Sequence, residues 1–205
     1  MNVLLLNGSP HREGNTFTAL SEISQQLKAE GIDSDEIIWI GNEPVRGCIA
    51  CMRCVGANRC IFGDDPVNLI IEKMQSSDAI IVGSPVYYGQ PSGQLLCLQQ
   101  RMLYAGSAAF CGKPAAAVTV CRRGGATSAY QALLMPFQMT NMPIVTSQYW
   151  NLAYGRNAGE AAQDLEGMQT MRTLAKNMAY LLKKLHNQPA EEPVYEPRQA
   201  MNFIR

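Results

Sequence analysis

Several features that define other classes of protein are scarce or missing in this chain of 205 residues. Lys and Arg together number 17, and Asp and Glu together also number 17, so the formal net charge is zero. This balance argues against a protein that binds nucleic acid or an acidic membrane surface, because both functions need a basic face. No apolar run approaches the roughly 18 residues of a membrane-spanning helix.

The first residues, MNVLLLNGSP, lack the basic residues and the long apolar run of a secretory signal. We therefore expect a cytoplasmic protein. In a reducing compartment, its 7 cysteines predict a metal or redox site rather than a set of disulfides.

Two nucleotide-binding motifs are also absent. The sequence has no GxGxxG, which argues against a Rossmann dinucleotide site. It also has no GxxxxGK[ST], which excludes a nucleotide-triphosphate P-loop. Histidine is limited to 2 residues, and no side chain stands out as a general acid or base, so no catalytic residue is assigned.

Apolar runs and helical patterns alternate along the chain. The runs that predict buried strands are 2–7, 35–40, 78–85, 113–121 and 142–150, and the helical patterns are 15–30, 64–77, 94–106, 126–139 with a kink or break at Pro136, and 160–185. This alternation predicts an α/β fold, a doubly wound five-stranded parallel sheet with helices on both faces. We expect one domain over 1–186 and an extended tail over 187–205 with no core of its own.

Ligands of such sheets bind beyond the carboxyl ends of the strands, which directs attention to the loops that follow them. After the first strand, GSPHREGNT leads into a helix whose N-terminal amides favour an anion. Ser9, Asn15 and Thr16 are the natural phosphate ligands there. The alternative is an ordinary capped helix start, because N-caps use the same residue types.

The loops after the third and fourth strands add surfaces for a planar ligand. SPVYYGQPSG places Tyr87 and Tyr88 at the end of a buried strand, where an aromatic ring could lie against them, although either could instead pack in a core or interface. RRGGAT adds Arg122 and Arg123, which are cations or plain surface charges, and two glycines that let the backbone approach a ligand closely.

Four cysteines form the compact pattern C-x2-C-x2-C-x5-C within an irregular loop over 44–63: Cys48, Cys51, Cys54 and Cys60. Iron–sulfur clusters are held by such sets of four thiolates. Zinc is an alternative, but its sites more often pair two knuckles across a longer segment. Plain thiols are a third alternative. The other cysteines, Cys97, Cys111 and Cys121, are expected to act as small buried hydrophobes.

Together, LLLNGSPHREGNT, DAIIVGSPVYYGQPSGQL and RRGGAT resemble the NADPH-dependent FMN reductase family, in its iron–sulfur flavoprotein-like branch, over about residues 1 to 185. The resemblance implies a flavodoxin-like FMN-binding domain, and the cysteine run matches the branch's motif for a [4Fe–4S] cluster. The implied FMN contacts are Ser9, Asn15 and Thr16 at the phosphate, with His11 or Arg12 in place of the family's Arg after Ser-Pro; Pro85, Val86, Tyr87, Tyr88 and Gly89 at the isoalloxazine; and Arg123, Gly124 and Gly125 on its far side.

The resulting hypothesis is a flavin-dependent oxidoreductase that uses NAD(P)H as the electron donor. FMN is expected rather than FAD, because one phosphate site is visible and nothing is dedicated to adenine. The alternatives are a non-enzymatic electron carrier, which the neutral charge disfavours, and a metal-binding regulatory module. A homo-oligomer, as a dimer or tetramer, is expected because a second subunit would cover the exposed flavin, and the long last helix and the Pro-spaced tail offer surface for that contact.

Overall fold

The computed structural model describes residues 1–34, 36–189, 191, 194–197 and 199. Its elements in chain order are β1 (Val3–Asn7), α1 (Asn15–Ala29), β2 (Ile37–Trp39), α2 (Val67–Gln75), β3 (Ala79–Pro85), α3 (Gly93–Phe110), β4 (Ala115–Cys121), α4 (Ala126–Met139), β5 (Leu152–Tyr154), a 3₁₀ helix (Glu160–Gln163) and α5 (Leu165–Leu185).

The five strands form one parallel sheet in the order β2-β1-β3-β4-β5. The chain moves outward from β1 to β2 and then returns to the other side of β1 to build β3, β4 and β5. The reversal between β1 and β3 opens a crevice beyond their carboxyl ends, which is the usual ligand position in this topology. The predicted doubly wound parallel sheet is confirmed.

Alternate residues of β1 face two separate cores. Leu4 and Leu6 pack in the layer that contains α2, α3 and α4, whereas Val3 and Leu5 pack in the layer that contains α1 and α5. Because both faces are covered, the strand is apolar at every position until Asn7. The continuous apolar run therefore correctly predicted a strand that is buried on both faces.

The predicted fifth strand over 142–150 was wrong, because the strand β5 begins only at Leu152. The earlier segment touches β4 through an isolated bridge between Ala115 and Ile144. Between the two pairings, the fully buried Asn151 donates its side-chain Nδ2 to Ala117 O at 3.1 Å. This side chain takes the place of a ladder hydrogen bond and separates the apolar run from the strand.

Three helices also differ from the sequence prediction. The helix α3 continues past Gly106 to Phe110, because the Phe110 ring packs where a Gly106 side chain would stand. The helix α4 continues through Pro136, so the predicted break is wrong, while the alternative of a kink stays a prediction; Gln99 Nε2 donates a 2.8 Å hydrogen bond to Leu133 O in the preceding turn. The pattern predicted over 160–185 divides at Asp164, whose carboxylate caps α5 by accepting the Gly167 N–H at 2.9 Å.

The described part of the tail lies along α5 of its own chain. Arg172 forms ion pairs with Glu196 of the tail and with Glu22 of α1, and Lys176 Nζ donates to Val194 O at 2.9 Å. The rest of the predicted tail, including 200–205, lies outside the described residues. Among the helices that the structure describes, none is both long and apolar enough to cross a membrane.

Candidate flavin cleft and cysteine recess

The loop after β1 is closed by the side chain of its last strand residue. The fully buried Asn7 donates Nδ2 to Arg12 O at 3.0 Å and accepts the Ser9 N–H at 3.1 Å. Ser9 Oγ accepts the His11 N–H at 3.1 Å, and Trp39 Nε1 reaches from β2 to donate to Ser9 O at 2.8 Å. The loop is therefore held in shape by hydrogen bonds to its own chain.

The first turn of α1 points into the space beside this loop. Gly14 occupies the N-cap position and offers no side-chain cap, so the first N–H groups are left for a ligand or water. The Thr16 methyl group packs toward Gly83 of β3, and Thr16 borders the cleft. The Asn15 side chain is already engaged, because it donates to Asn157 O at 2.8 Å and accepts the Ala161 N–H at 3.0 Å.

The loop after β3 is a tight reverse turn. Tyr87 and Gln90 exchange two backbone hydrogen bonds of 2.8 and 2.9 Å. The two residues between them, Tyr88 and Gly89, have positive φ angles of 51° and 77°, the signature of a type I′ turn. Pro85, Val86 and Tyr87 border the cleft, whereas Tyr88 is fully exposed at the tip of the turn.

The loop after β4 packs directly against that turn. Gly125 has a φ of 87° and begins α4. A Cβ atom at this position would lie 2.9 Å from Gly89 Cα and 3.2 Å from Val86 Cγ1, so only glycine permits the contact. Arg122 borders the cleft, while Arg123 and Gly124 are exposed beside it. The predicted ligand roles of all these residues stay predictions.

These loops enclose an open cleft of about 800 Å³ at the carboxyl ends of β1, β3 and β4. Its volume lies in the range of cofactor sites, which is about 300–1,000 Å³. Charged groups on its wall are Arg12, Glu13, Arg122 and Arg156, so positive charge prevails. The cleft therefore combines a cationic, amide-rich end with apolar surfaces from β3 and Trp39.

Ionisable groups around the cleft are held in defined states. Burial raises the pKa of the Cys121 thiol, against backbone hydrogen bonds from Arg123 and Ala126, so the thiol stays protonated at neutral pH. Burial also raises the pKa of the Tyr87 phenol, which stays neutral. Backbone N–H groups of Asn157 and Arg156 lower the pKa of the Glu160 carboxyl, because they donate to its charged form.

A second candidate site lies between α3 and the long loop after β2. All four cysteines predicted as ligands border one recess, together with Phe62, Arg101 and Tyr104: Cys48, Cys51, Cys54 and Cys60. Burial is the main cause of a raised pKa at the Cys54 thiol, and the nearby charges of the other three cysteines add to it. The four sulfurs are therefore close enough to influence one another.

Zinc and a four-iron cluster require different arrangements of four cysteine sulfurs. Across the described ranges of the chain, no group of three or more His, Cys, Asp or Glu side chains is arranged to hold a single metal ion. Zinc would need four sulfurs at about 2.3 Å from one centre. A four-iron cluster makes a different demand, because each thiolate ligates a separate iron and the sulfurs stand further apart. The recess supplies the four thiol donors that the second kind of site requires, around a space of only about 20 Å³.

The remaining cysteines only partly follow the sequence prediction. Cys121 is buried, as expected, and Cys97 is half-buried against the core. The prediction was wrong for Cys111, which is exposed at the end of α3 because Gly112 turns the chain there with a φ of 81°.

Several cleft and recess residues were not found from the sequence. Asn7 and Trp39 act through contacts between separate strands, and Arg156 with Asn157 reaches the cleft only because β5 lies further along the chain than predicted. Arg101 did leave a signal. It stands in phase with the apolar positions of α3, which places a cation on the buried face of a helix.

The topology and the position of the cleft define a flavodoxin-like α/β fold. Solved structures of that class superpose on the chain, among them RosB with a bound intermediate, 8-demethyl-8-formylriboflavin-5'-phosphate, at a TM-score of 0.72 and 14% identity, covering 100% of this chain and 93% of RosB. The NAD(P)H:quinone oxidoreductase from Methanothermobacter marburgensis superposes at a TM-score of 0.64 and 15% identity, covering 87% and 98%. At such identities the likeness shows the fold.

Within that class, the chain belongs to the NADPH-dependent FMN reductase family, whose model matches residues 1–157. The protein is thus an FMN-dependent flavoprotein of an oxidoreductase family. An iron-sulfur flavoprotein of Methanocaldococcus jannaschii is 34% identical over 192 residues, with 89% of this chain and 98% of the relative covered. An iron-sulfur flavoprotein of Methanosarcina thermophila is 30% identical over 189 residues, with 89% and 96% covered. The resemblance read from the motifs is confirmed.

Proposed function

We propose that the protein takes a hydride from NADH or NADPH through FMN bound in the cleft and passes the electrons to an acceptor, with a [4Fe–4S] cluster in the cysteine recess. The observation that carries the proposal is the meeting of an uncapped helix N-terminus and an apolar wall in one cleft. A flavin mononucleotide has the matching parts, a phosphate at one end and a planar ring at the other.

The phosphate end is assigned to the loop after β1. Ser9 and Thr16 offer hydroxyl groups beside the first-turn amides of α1, and Arg12 adds a positive charge. Amides and hydroxyls that are already fixed bind a phosphate without a large ordering cost, and the helix dipole favours its charge. Asn15 contributes its backbone N–H and holds the wall formed by Asn157.

The ring end is assigned to the loops after β3 and β4. Pro85, Val86 and Tyr87 line this end of the cleft, and the close packing of Gly125 on Gly89 keeps the two loops together. Arg122 stands on the cleft wall, where its charge can balance negative charge on a bound ring. When bound, FMN supplies hydride acceptance and electron release, while the protein supplies orientation and electrostatics.

The recess is assigned to the cluster on the chemistry of its donors. Cys48, Cys51, Cys54 and Cys60 supply four thiolates around one space, and the names of the relatives in two archaea point the same way. When bound, the cluster supplies one-electron transfer.

We also propose that the protein assembles with further copies of itself. Large apolar side chains are exposed near the start of β5 and on α4, among them Met135, Met139 and Trp150. Light scattering at micromolar concentration tests this, and a monomer would contradict it.

The absorption spectrum of anaerobically purified protein tests both cofactors at once. A yellow flavin spectrum with a broad brown cluster absorbance is expected, together with measurable iron and sulfide. Flavin released by heat should run as FMN on chromatography, and FAD would contradict the assignment of the cleft. Rapid mixing with NADPH or NADH should bleach the flavin during turnover, whereas a simple electron carrier would react with neither.

A further inference from the structure

The helix α3 buries a cation beside the cysteine recess. Among the described residues, Arg101 has the largest side chain that is fully buried, and only 2% of the residue is exposed. A buried charge is costly unless a counter-ion and hydrogen-bond acceptors surround it. The partners of Arg101 therefore indicate what this position is for.

The guanidinium is saturated by the cysteine loop. Its Nη1 is paired with the buried carboxylate of Asp65 and also donates to Arg46 O at 3.3 Å. Its Nη2 donates to Phe62 O at 3.3 Å. The remaining contacts go to sulfur, because Nε and Nη2 both donate to Cys60 Sγ at 3.3 Å.

Cys60 is also held through its backbone. Asn68 of α2 accepts the Cys60 N–H at 2.8 Å and donates Nδ2 to Cys60 O at 3.0 Å. By contrast, Cys48 and Cys51 lie on the exposed side of the loop. One of the four sulfurs is thus fixed in place by two helices, while two others depend on the loop alone.

We propose that Arg101 is a positioning residue that holds Cys60 as the anchored cluster ligand and raises the reduction potential of the cluster. The inference rests on the cluster assignment made above. Reduction adds negative charge to a cluster and its sulfurs, and N–H donors to the sulfurs are among the factors that set the potential. Two N–H groups on one sulfur favour the reduced form.

Asp65 lowers the reduction potential of the cluster, whereas Arg101 raises it. Its carboxylate carries the opposite charge and so opposes the field of Arg101 at the recess, and it also accepts the Val67 N–H at 3.2 Å. Removing the carboxylate charge leaves the cation and its hydrogen bonds to Cys60. The two partners of one ion pair therefore predict shifts of opposite sign.

The test compares Arg101→Lys and Asp65→Asn with wild type, and uses Arg53→Lys as the control because Arg53 is an exposed arginine in the same loop. Each protein is loaded with iron and sulfide without oxygen and titrated with reductant, with cluster and flavin followed separately. We expect a lower cluster potential and faster iron loss to a chelator in Arg101→Lys. In Asp65→Asn we expect a higher cluster potential, with the control and all flavin potentials unchanged.

A folded Arg101→Lys protein that keeps FMN and fails to hold iron would also support the inference, because positioning of Cys60 would then be lost. If that variant does not fold, the sign of the shift in Asp65→Asn decides the question. Equal cluster potentials in loaded wild type and either variant would overturn the inference alone. A wild type that binds no iron would overturn the cluster assignment and this inference together.

Discussion

The flavin cleft and the cysteine recess are built in different ways. The cleft is framed by short loops that leave β1, β3 and β4, and its shape follows from the sheet and from backbone contacts such as the 2.8 Å hydrogen bond between Gly8 N and Gly83 O. The recess belongs to a long irregular loop between β2 and α2, which a few buried side chains hold in place. Scaffold geometry determines the first site, and individual side chains determine the second.

Because they are built differently, the two sites should respond separately to mutation. A change in the cysteine loop leaves the strand ends untouched, and a change at the strand ends leaves Arg101 and Asn68 in place. A variant that loses both cofactors while remaining folded would contradict that separation.

The largest effect is expected from Cys51→Ser. A serine hydroxyl is a poor replacement for a thiolate ligand, so the protein should lose its iron and sulfide and keep FMN. Cys111→Ser is the matched control, because Cys111 is exposed at the end of α3 and is not part of the recess. Metal analysis and flavin absorbance of anaerobic preparations measure both. Full iron content in Cys51→Ser would contradict the assignment of that ligand.

Gly8→Ala should damage the cleft and spare the recess. The added Cβ would lie 2.7 Å from Leu95 Cδ2 and 2.9 Å from Gly83 O, so β1, β3 and the first turn of α3 would have to shift, whereas Arg101 lies more than one turn further along α3. Such overpacking costs about 1–3 kcal/mol of unfolding free energy, and weaker FMN binding should accompany it. Gly93→Ala is the control, because Gly93 is exposed at the start of α3 and its added Cβ would meet open space. Denaturant unfolding measures the loss of stability, and flavin titration measures the loss of FMN affinity. If Gly8→Ala matches wild type in both quantities, the close packing around Gly8 does not matter for the cleft.

Thr16→Ala sharpens the assignment of the phosphate end. Loss of one hydrogen bond to a charged group should weaken FMN binding by about 1–2 kcal/mol, a change of roughly tenfold in the dissociation constant. Thr18→Ala makes the same chemical change on the same helix, but Thr18 Oγ1 is bonded to Gly14 O at 3.3 Å and does not border the cleft. Identical dissociation constants for wild type and Thr16→Ala would mean that Thr16 serves the helix alone.

The smallest effect is expected at the tail, which belongs to neither site. Hydrogen bonding from Arg172 lowers the pKa of Glu196 from its usual 4.5 to about 2. A depressed carboxyl pKa stabilises the folded state above pH 4.5, and this contribution is lost as the pH falls toward 2. Because the pair is partly exposed, we expect about 1 kcal/mol or less at pH 7.

Glu196→Gln should therefore be slightly less stable than wild type at neutral pH and equally stable near pH 2. Glu191→Gln is the control in the same tail, since Glu191 is an exposed carboxylate. Unfolding free energies across the acid range provide the measurement, with cofactor content unchanged in every variant. A difference that grows on acidification would contradict the sign of this prediction.

Much of the fold and the cleft could be predicted because backbone periodicity encodes them. Apolar runs at β1, β3 and β4 revealed the sheet, and the polar residues directly after them revealed Ser9, Thr16 and Tyr87 as cleft residues. The fifth strand was misplaced because the buried amide of Asn151 replaces a ladder bond, and no local pattern shows which carbonyl an Asn side chain will reach.

For the recess, the sequence predicts the four candidate cysteine ligands. It does not predict the side chains that hold those cysteines in place. Cysteine spacing names the four thiols directly. Their anchoring depends on Arg101 and Asn68, which lie on helices that the sequence pattern treats as ordinary amphipathic segments. An arginine in phase with the apolar positions of α3 was the one available sign, and it becomes informative only when the fold shows what it faces.

The wall of the cleft formed after β5 has a consequence for amide exchange. Glu160 accepts the N–H groups of Arg156 and Asn157 at 2.7 and 2.8 Å, and Asn15 accepts that of Ala161. These hydrogens should exchange slowly with deuterium even in flavin-free protein, because their acceptors are already in place. The first amides of α1, which no side chain caps, should exchange freely until a phosphate arrives. Amide exchange should therefore be slow in the wall after β5 whether or not FMN is bound. In the first turn of α1, it should slow only when a phosphate binds.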